Sequence, residues 1–433
     1  MLSHVIAIRG EAGGDGSAER PFVLEHREAL IYMLCEAAEI EHALMCEYLF
    51  AAFSLKQRVE EGLTPEQLAS VERWRSVMYQ VAAQEMLHLA LVQNLLTAIG
   101  ASPHLSRPNL PHPARHFPPG VQVALMPFGE RALRHFLYLE RPEGMALDDA
   151  EGFAAVGEAV ALMEEGDVVP RLQDFATVGH LYRSIEAGLG HLVQKYGEAR
   201  LFVGPPEAQA TAATFGWPEL IPVTDLSSAV AAIETIVEQG EGARGEWREA
   251  HFGRFLQVLD DYLALKEAAP SFEPARPVLA AKVRPPEIGA DTPLIGDPIT
   301  ARVADLFNVG YEVLLQLLYR FFAHTDETDQ QLATLADVAV GLMLEVLMPL
   351  GLSISTLPVG PAHPELTAGA TFELFYETDY LLPHRRAAWL LIEERLGEAA
   401  AFGRRIMAQP EAPSLDGVVA ALARFAQMMA DAA

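Results

Sequence analysis

The sequence predicts an all-α protein of 433 residues whose first half forms a four-helix bundle. Apolar residues recur at steps of three and four along most of the chain, which is the pattern of amphipathic helices. The chain shows no strong strand-like alternation, and its long periodic segments end at glycine or proline. Because a chain of this length usually forms more than one core, we expect a second helical region after the bundle.

The composition excludes several classes of function. The formal net charge of −28 argues against nucleic acids and anionic membrane surfaces as partners. The first residues lack the basic and apolar segments of a signal peptide, and the most apolar segment, 338–350, is better interpreted as a buried helix than as a membrane span. Cys35 and Cys46 lie in one predicted helix, roughly 16 Å apart, too far to form a disulfide. A reducing cytoplasm is therefore the expected location.

The first two helices of the bundle have clear limits. The first is predicted over about 26–56. The second begins at Thr64-Pro65-Glu66-Gln67, a capping sequence with proline in the first turn, and ends at Ile99 before Gly100. The segment 101–120 is rich in proline and histidine and is predicted to be a long crossover between helix pairs.

Three regions follow from the remaining pattern. We assign 24–268 to the metal-binding bundle, 269–298, which contains seven prolines, to a linker or strap, and 299–433 to a helical C-terminal region. The further helices of the bundle are predicted at about 129–139, 147–165, 170–196, 227–239 and 246–266. Those of the C-terminal region are predicted at about 299–323, 329–350 and 385–428.

The second helix carries the most informative residues. Glu85 and His88 are three residues apart, so they share a helical face, and they interrupt a stripe that is otherwise apolar. Glu41 interrupts the stripe of the first helix in the same way. A buried carboxylate must be paired, protonated or bound to a metal, which favours a metal site in the bundle. The alternative is a hydrogen-bonded core histidine beside a surface glutamate.

The other ligands are less clear from spacing. On the third helix, Glu186 follows Tyr182 by four residues and is the predicted carboxylate. No second Glu-x-x-His occurs, so the fourth set is predicted to be split by a loop, with Glu238 before it and His251 after it. Glu241 could replace either one. Tyr48 and Tyr182 are the candidate catalytic residues that line the site, with simple core packing as the alternative for Tyr48.

These residues sum to four carboxylates and two imidazoles, a donor set that suits iron or manganese better than zinc. We therefore predict two iron ions, with manganese as an alternative.

Three motifs occur in order along the chain: Glu41-His-Ala-Leu-Met-Cys-Glu-Tyr48, Glu85-Met-Leu-His88 and Ile236-Val-Glu238-Gln-Gly-Glu241-Gly. Together they resemble the ferritin-like domain of the iminophenyl-pyruvate dimer synthase family, which is linked to the chromopyrrolic acid and violacein pathways. The resemblance covers about 24–266. It implies a ferritin-like four-helix bundle with a metal centre. Carried onto matching positions, it supports as ligands Glu41, Glu85, His88, Glu186, Glu238 and His251.

The functional prediction is a non-haem, O2-dependent oxidoreductase that acts on a small, amino-acid-derived molecule. It implies an apolar pocket beside the metals, lined by residues such as Met45, Tyr48, Phe53 or Tyr182. Two alternatives are iron handling without an organic substrate, and a metal-free helical binding module whose polar residues form a buried hydrogen-bond network. The state of assembly is open, with a homodimer as one option.

Overall fold

A computed structural model describes residues 21, 24–111, 121–153, 175, 177–240, 242, 247–285, 292–375 and 383–433. In these residues the all-α class is confirmed, because regular structure is almost entirely helical. The helices of the first half are α1 (Arg27–Ser54), α2 (Pro65–Ala98), α3 (Glu130–Leu139), α4 (Val178–Tyr196), α5 (Glu198–Leu201), α6 (Ala212–Phe215), α7 (Leu226–Gly240) and α8 (His251–Ala268).

The second half contains α9 (Pro298–Phe322), α10 (Asp329–Leu342), α11 (Met348–Ile354), α12 (Arg385–Met407) and α13 (Asp416–Ala432). A π-helical turn, Met343–Leu347, joins α10 to α11 without a break. Two short strands, β1 (Val278–Leu279) and β2 (Thr367–Ala368), pair in parallel. The single helix predicted over 385–428 is divided into α12 and α13 at residues 408–415.

The bundle is built on the pair α1 and α2, which is the most extensive helix contact of the described chain. The predicted capping box begins α2, because the Thr64 side chain accepts from Gln67 N at 3.2 Å and the Gln67 side chain accepts from Thr64 N at 2.9 Å. Helices α4 and α7 pack together, with α4 against α1 and α7 against α2. Helix α8 packs against α2 and α3, so α3 is held beside the bundle.

Two predicted helices differ from the structure. Residues 147–153 are not helical, and the rest of the segment predicted over 147–165 lies outside the described residues. The helix predicted from 170 begins at Val178, where the Thr177 side chain accepts a hydrogen bond from His180 N. Threonine at the first position of a helix satisfies a backbone donor that would otherwise be unpaired, which fixes the start of α4.

The proline-rich segment lies against the end of α1. Arg276 N donates to Ser54 O at 2.8 Å, and Lys56 N donates to Pro274 O at 2.9 Å. In the C-terminal region α9 packs against α10, α11 and α12, and α11 also reaches α1. One continuous set of buried apolar side chains runs through both halves. The boundaries proposed for the three regions therefore stay a prediction.

The segment Asp329–Ile354 is long and apolar enough to cross a membrane. Half of its most apolar window of 18 residues is buried within the protein.

Candidate metal centre

Five buried polar side chains from four helices meet inside the bundle. Glu41 comes from α1, Glu85 and His88 come from one face of α2, Glu140 follows the last residue of α3, and His251 is the first residue of α8. They form two groups that share Glu85, one with Glu41 and His88 and the other with Glu140 and His251. Within each group the possible ligand atoms lie within 4.8 Å of one another. This is the arrangement that a shared carboxylate between two metal ions requires.

Glu85 lies between the two histidines. Its Oε2 atom is 3.0 Å from Nδ1 of His88, and its Oε1 atom is 2.9 Å from Nδ1 of His251. The two imidazole rings are nearly parallel, with centroids 5.5 Å apart. Glu41 Oε2 lies 3.4 Å from Nδ1 of His88, and Glu140 Oε1 lies 3.5 Å from Nδ1 of His251. Both imidazoles therefore turn the same nitrogen atom toward the carboxylates.

Glutamines fix the orientation of the two rings. Nε2 of His88 lies 3.1 Å from Oε1 of Gln239, and Nε2 of His251 lies 3.3 Å from Oε1 of Gln84. An Nε2–H that donates to these oxygen atoms places the other nitrogen lone pair on the carboxylate side. Such outer partners orient the histidine ligands of metal sites.

Two phenols hold the outer carboxylates. The Tyr182 hydroxyl donates to Glu41 Oε1 at 2.5 Å, and the Tyr48 hydroxyl donates to Glu140 Oε1. Burial, together with the nearby carboxylates, raises the pKa of each tyrosine well above 10. Both phenols therefore stay protonated and act as donors to the carboxylates.

The metal-free cluster balances its charge with protons. Burial and the nearby Glu85 raise the pKa of Glu41 to about 8. Burial alone would lower the pKa values of the imidazoles. Glu85 and Glu41 together raise the pKa of His88 to about 10, and Glu85 and Glu140 together raise that of His251 to about 9. Burial alone would raise the pKa of Glu85, and the two imidazoles instead keep it well below its usual value.

The residues present fit a metal. Nδ1 of His251 is fully buried and lies close to two carboxylates, yet it makes no hydrogen bond with either. Within the described part of the chain, no lysine or arginine forms an ion pair with Glu41, Glu85 or Glu140. Three carboxylates and two imidazoles are a donor set suited to iron or manganese.

The structure brings together four of the six residues predicted as ligands, Glu41, Glu85, His88 and His251, and places Tyr48 and Tyr182 against them.

The structure does not bring the other two predicted ligands into this cluster. Glu186 is half-buried on α4, where its charged neighbours are Glu234 and Arg183, because Tyr182 one turn earlier takes the position facing Glu41. Glu238 is exposed on α7. The next residue, Gln239, faces His88, since one residue turns a helix by about 100°. Glu241 lies outside the described residues.

Glu140 completes the second group and was missed by the sequence analysis. Glu140 lies at the end of α3 and is only 6% exposed. The contact between α3 and α8 brings its carboxylate close to His251. A signal was available, because Glu140 lies four residues after Phe136 and seven after Leu133, both buried. It therefore continues the apolar face of α3, as Glu41 and Glu85 do on their own helices.

The pocket expected beside the metals is small. A cavity of about 20 Å³ adjoins Glu41, Glu85, His88, Glu140 and Tyr182. Of the other three residues expected there, Met45 and Phe53 line a separate and larger cavity, and Tyr48 lines neither.

Comparison with known proteins agrees with this architecture. A family model described as Ferritin-like matches residues 34–260, just over half of the chain. The dichlorochromopyrrolate synthase of Lentzea aerocolonigenes is 28% identical over 429 residues, which cover 89% of this chain and 40% of that protein. The 2-imino-3-(indol-3-yl)propanoate dimerase of Chromobacterium violaceum is 28% identical over 367 residues, covering 79% of this chain and 34% of that protein.

Among solved structures, a ferritin-like protein from Caulobacter vibrioides aligns over 80% of this chain and 100% of its own. Its sequence identity is 19% and its TM-score is 0.48, a similarity too low to support an argument. The chain spans 40% or less of the length of the two curated relatives. These relatives confirm the resemblance carried by the three motifs, and with the match over 34–260 the chain belongs to the ferritin-like family.

Proposed function

We propose that this chain forms the metal centre of a non-haem, di-iron oxidoreductase that acts on a small, amino-acid-derived organic molecule. The observation that carries the proposal is the position of Glu85 between two imidazoles whose Nδ1 atoms both face carboxylates. Buried acids that serve only stability are usually neutralised by arginine or lysine, and these are surrounded by histidine and tyrosine instead.

The five residues divide into two ligand sets. Glu41 and His88 would hold one ion, Glu140 and His251 would hold the other, and Glu85 would be shared between them. Two bound irons would supply O2-dependent oxidation, a chemistry that protein side chains lack.

The contribution of the chain itself is to orient and to exclude water. Tyr182 and Tyr48 each use one oxygen of a carboxylate and so fix its direction. Gln239 and Gln84 keep the imidazole Nδ1 atoms turned inward. Since both phenols remain protonated, each also holds a proton at the edge of the cluster, within hydrogen-bond distance of a ligand.

The substrate class rests on the relatives. One is named as a synthase of dichlorochromopyrrolate and the other as a dimerase of an indolyl imino acid. We infer that this chain also acts on an imine derived from an aromatic amino acid. Because the relatives are more than twice as long, the rest of their activity is not assigned to this chain.

The first experiment measures bound metal. The protein is loaded anaerobically with Fe(II), desalted and analysed for iron, beside a Glu85→Ala, His88→Ala double variant and a Glu238→Ala control on the exposed face of α7. We expect about two irons per chain in the unmodified protein and in the control, and close to none in the double variant. An unmodified protein that binds no iron, or a double variant that retains it, would reject the centre.

The second experiment separates an oxidoreductase from an iron-handling protein. Oxygen consumption by the iron-loaded protein is recorded with indole-3-pyruvate and ammonium, which are in equilibrium with the imine, and separately with excess Fe(II) alone. Sustained consumption that requires the organic compound supports the proposed function. Consumption with Fe(II) alone assigns the centre to iron oxidation instead.

A further inference from the structure

A second cavity lies on another face of the α1–α2 pair, between the bundle and the C-terminal region. Its volume is about 340 Å³, within the size range of sites for small ligands. The neighbours of two proposed metal ligands line it, His42 beside Glu41 and Met86 beside Glu85, because one step along a helix turns the side chain to another face. None of the five residues of the metal centre lines this cavity.

Among the described residues that line this cavity there is no aspartate, glutamate, lysine or arginine. It is formed by aliphatic side chains, by methionines such as Met45 and Met343, and by aromatic rings such as Phe53, Trp217 and Phe372. A charged ligand would lose its hydration there without gaining a partner of opposite charge. Ring edges and thioether sulfurs favour a flat aromatic ligand over an aliphatic one of similar size.

One side of the cavity is polar and is formed by His42 and Tyr311. The Tyr311 hydroxyl contacts Nε2 of His42, and behind it Nη2 of Arg107 donates to the same hydroxyl oxygen at 3.1 Å. Arg107 also donates to Phe372 O at 2.8 Å, so its side chain is anchored outside the cavity.

The π-helical turn forms the opposite rim. Met343, Leu344 and Leu347 all line the cavity, and Leu344 is 56% exposed. A π-helical turn inside an α-helix is rare and is frequently found at functional sites. Here it places these apolar side chains over the space between α9 and the bundle.

We propose that this cavity is a binding site for an uncharged aromatic small molecule, distinct from the metal centre. The ring would lie among the aromatic and methionine side chains, beside the hydrogen-bonded pair of His42 and Tyr311. The site goes beyond the proposed oxidation, because it requires no metal.

Calorimetric titration with three probes tests the chemical class. Indole, which is neutral and aromatic, should bind saturably with a Kd below about 1 mM. Cyclohexanol should bind about tenfold more weakly for lack of ring contacts, and indole-3-acetate about tenfold more weakly or worse because its carboxylate finds no cation in the wall. No saturable binding of indole, or preference for either of the other probes, would overturn the proposal.

Variants locate the binding. Ala83→Phe on α2 and Leu318→Trp on α9 each place a larger side chain in the lining of the cavity, and each should weaken indole binding at least about tenfold. Ala69→Phe makes the same change as the first variant on an exposed position of α2 and should leave the Kd unchanged. Thermal unfolding checks that each variant is folded. If both folded cavity variants bind indole as well as the unmodified protein, the ligand lies elsewhere.

The proposals for the cavity and for the metal centre can be tested independently. The Glu85→Ala, His88→Ala variant should keep its affinity for indole, and Ala83→Phe should keep its iron. Loss of indole binding in the metal-ligand variant would mean that the two sites are one, which contradicts the proposal without affecting the metal centre.

Discussion

The buried carboxylate of Glu327 in the C-terminal region and the three carboxylates of the bundle cluster have partners of different kinds. In the C-terminal region the Glu327 side chain is covered, and Arg320 Nε lies 2.5 Å from it while Trp389 Nε1 donates to it at 3.1 Å. In the bundle, Glu41, Glu85 and Glu140 face imidazoles and phenols. The counter-charge of Glu327 is part of the chain, whereas the bundle carboxylates depend on protons or on an added metal ion. A carboxylate cluster without its own cation is therefore the better guide to function.

The largest expected effect is a difference in iron affinity between variants of Glu140 and of Glu238. Replacing Glu140 by alanine removes a carboxylate that we propose as a ligand, and iron affinity should fall at least about 100-fold, since even outer partners of ligands change metal affinity by 10- to 100-fold. Glu238→Ala changes the charge of the protein equally and should bind iron normally. Competition with a chelator of known affinity measures both. A loss with Glu238→Ala alone would restore the ligand set predicted from spacing, and equal losses would contradict the distinction between the two glutamates.

The contrast between these glutamates shows what the sequence could reveal. Glu41, Glu85 and His88 were predictable because they interrupt apolar stripes on long helices, where the helical phase is well determined. Glu238 and Gln239 differ by one step, and a pattern near the end of a helix could not decide which faces inward. The fold class and the limits of α1 and α2 followed from periodicity to within two or three residues.

Glu140 and the large cavity depend on tertiary contacts. Glu140 reaches the centre only because α3 packs on α8, and no spacing rule connects residue 140 with residue 251. The cavity arises where α1 and α2 meet α9 and the π-helical turn. In the sequence, the residues that line this cavity have the apolar pattern of ordinary core positions. The pattern therefore could not predict a cavity there.

The buried pair of the C-terminal region should behave as a structural element. Glu327→Gln leaves the Arg320 guanidinium buried without a charged partner and should lower the free energy of unfolding by about 2 to 3 kcal/mol. Asp326→Asn removes the neighbouring exposed carboxylate and should change it by less than about 0.5 kcal/mol. Urea unfolding measures both, with and without iron. A destabilisation by Glu327→Gln that appears only in the iron-loaded protein would contradict the separation of the two regions.

A smaller effect is expected where the bundle uses a neutral donor. Tyr182→Phe removes the hydrogen bond to Glu41 but no ligand, and iron affinity should fall about tenfold. Tyr48→Phe removes the equivalent bond to Glu140 and should act similarly. Tyr262→Phe, on α8 and outside the contacts of the centre, is the control. If iron affinity is unchanged in both test variants, the phenols contribute packing alone.

The smallest effect is the acid response of Glu327. Burial alone would raise the pKa of Glu327, but the hydrogen bonds from Arg320 and from Thr325 N lower it from 4.5 to about 2. A carboxylate with a lowered pKa stabilises the fold fully above its unfolded pKa, and this stabilisation is lost as the pH falls through 4.5 toward 2. Because solvent partly screens this interaction, the free energy of unfolding should decrease by about 1 kcal/mol. The free energy of unfolding of the metal-free protein, measured from pH 6 to pH 3, should decrease as the pH falls. Glu327→Gln should reduce this dependence on pH, and Asp326→Asn should leave it unchanged. If Glu327→Gln leaves the pH dependence of unfolding unchanged, other carboxylates cause the acid sensitivity. The comparison between Glu327 and the carboxylates of the bundle would then not hold.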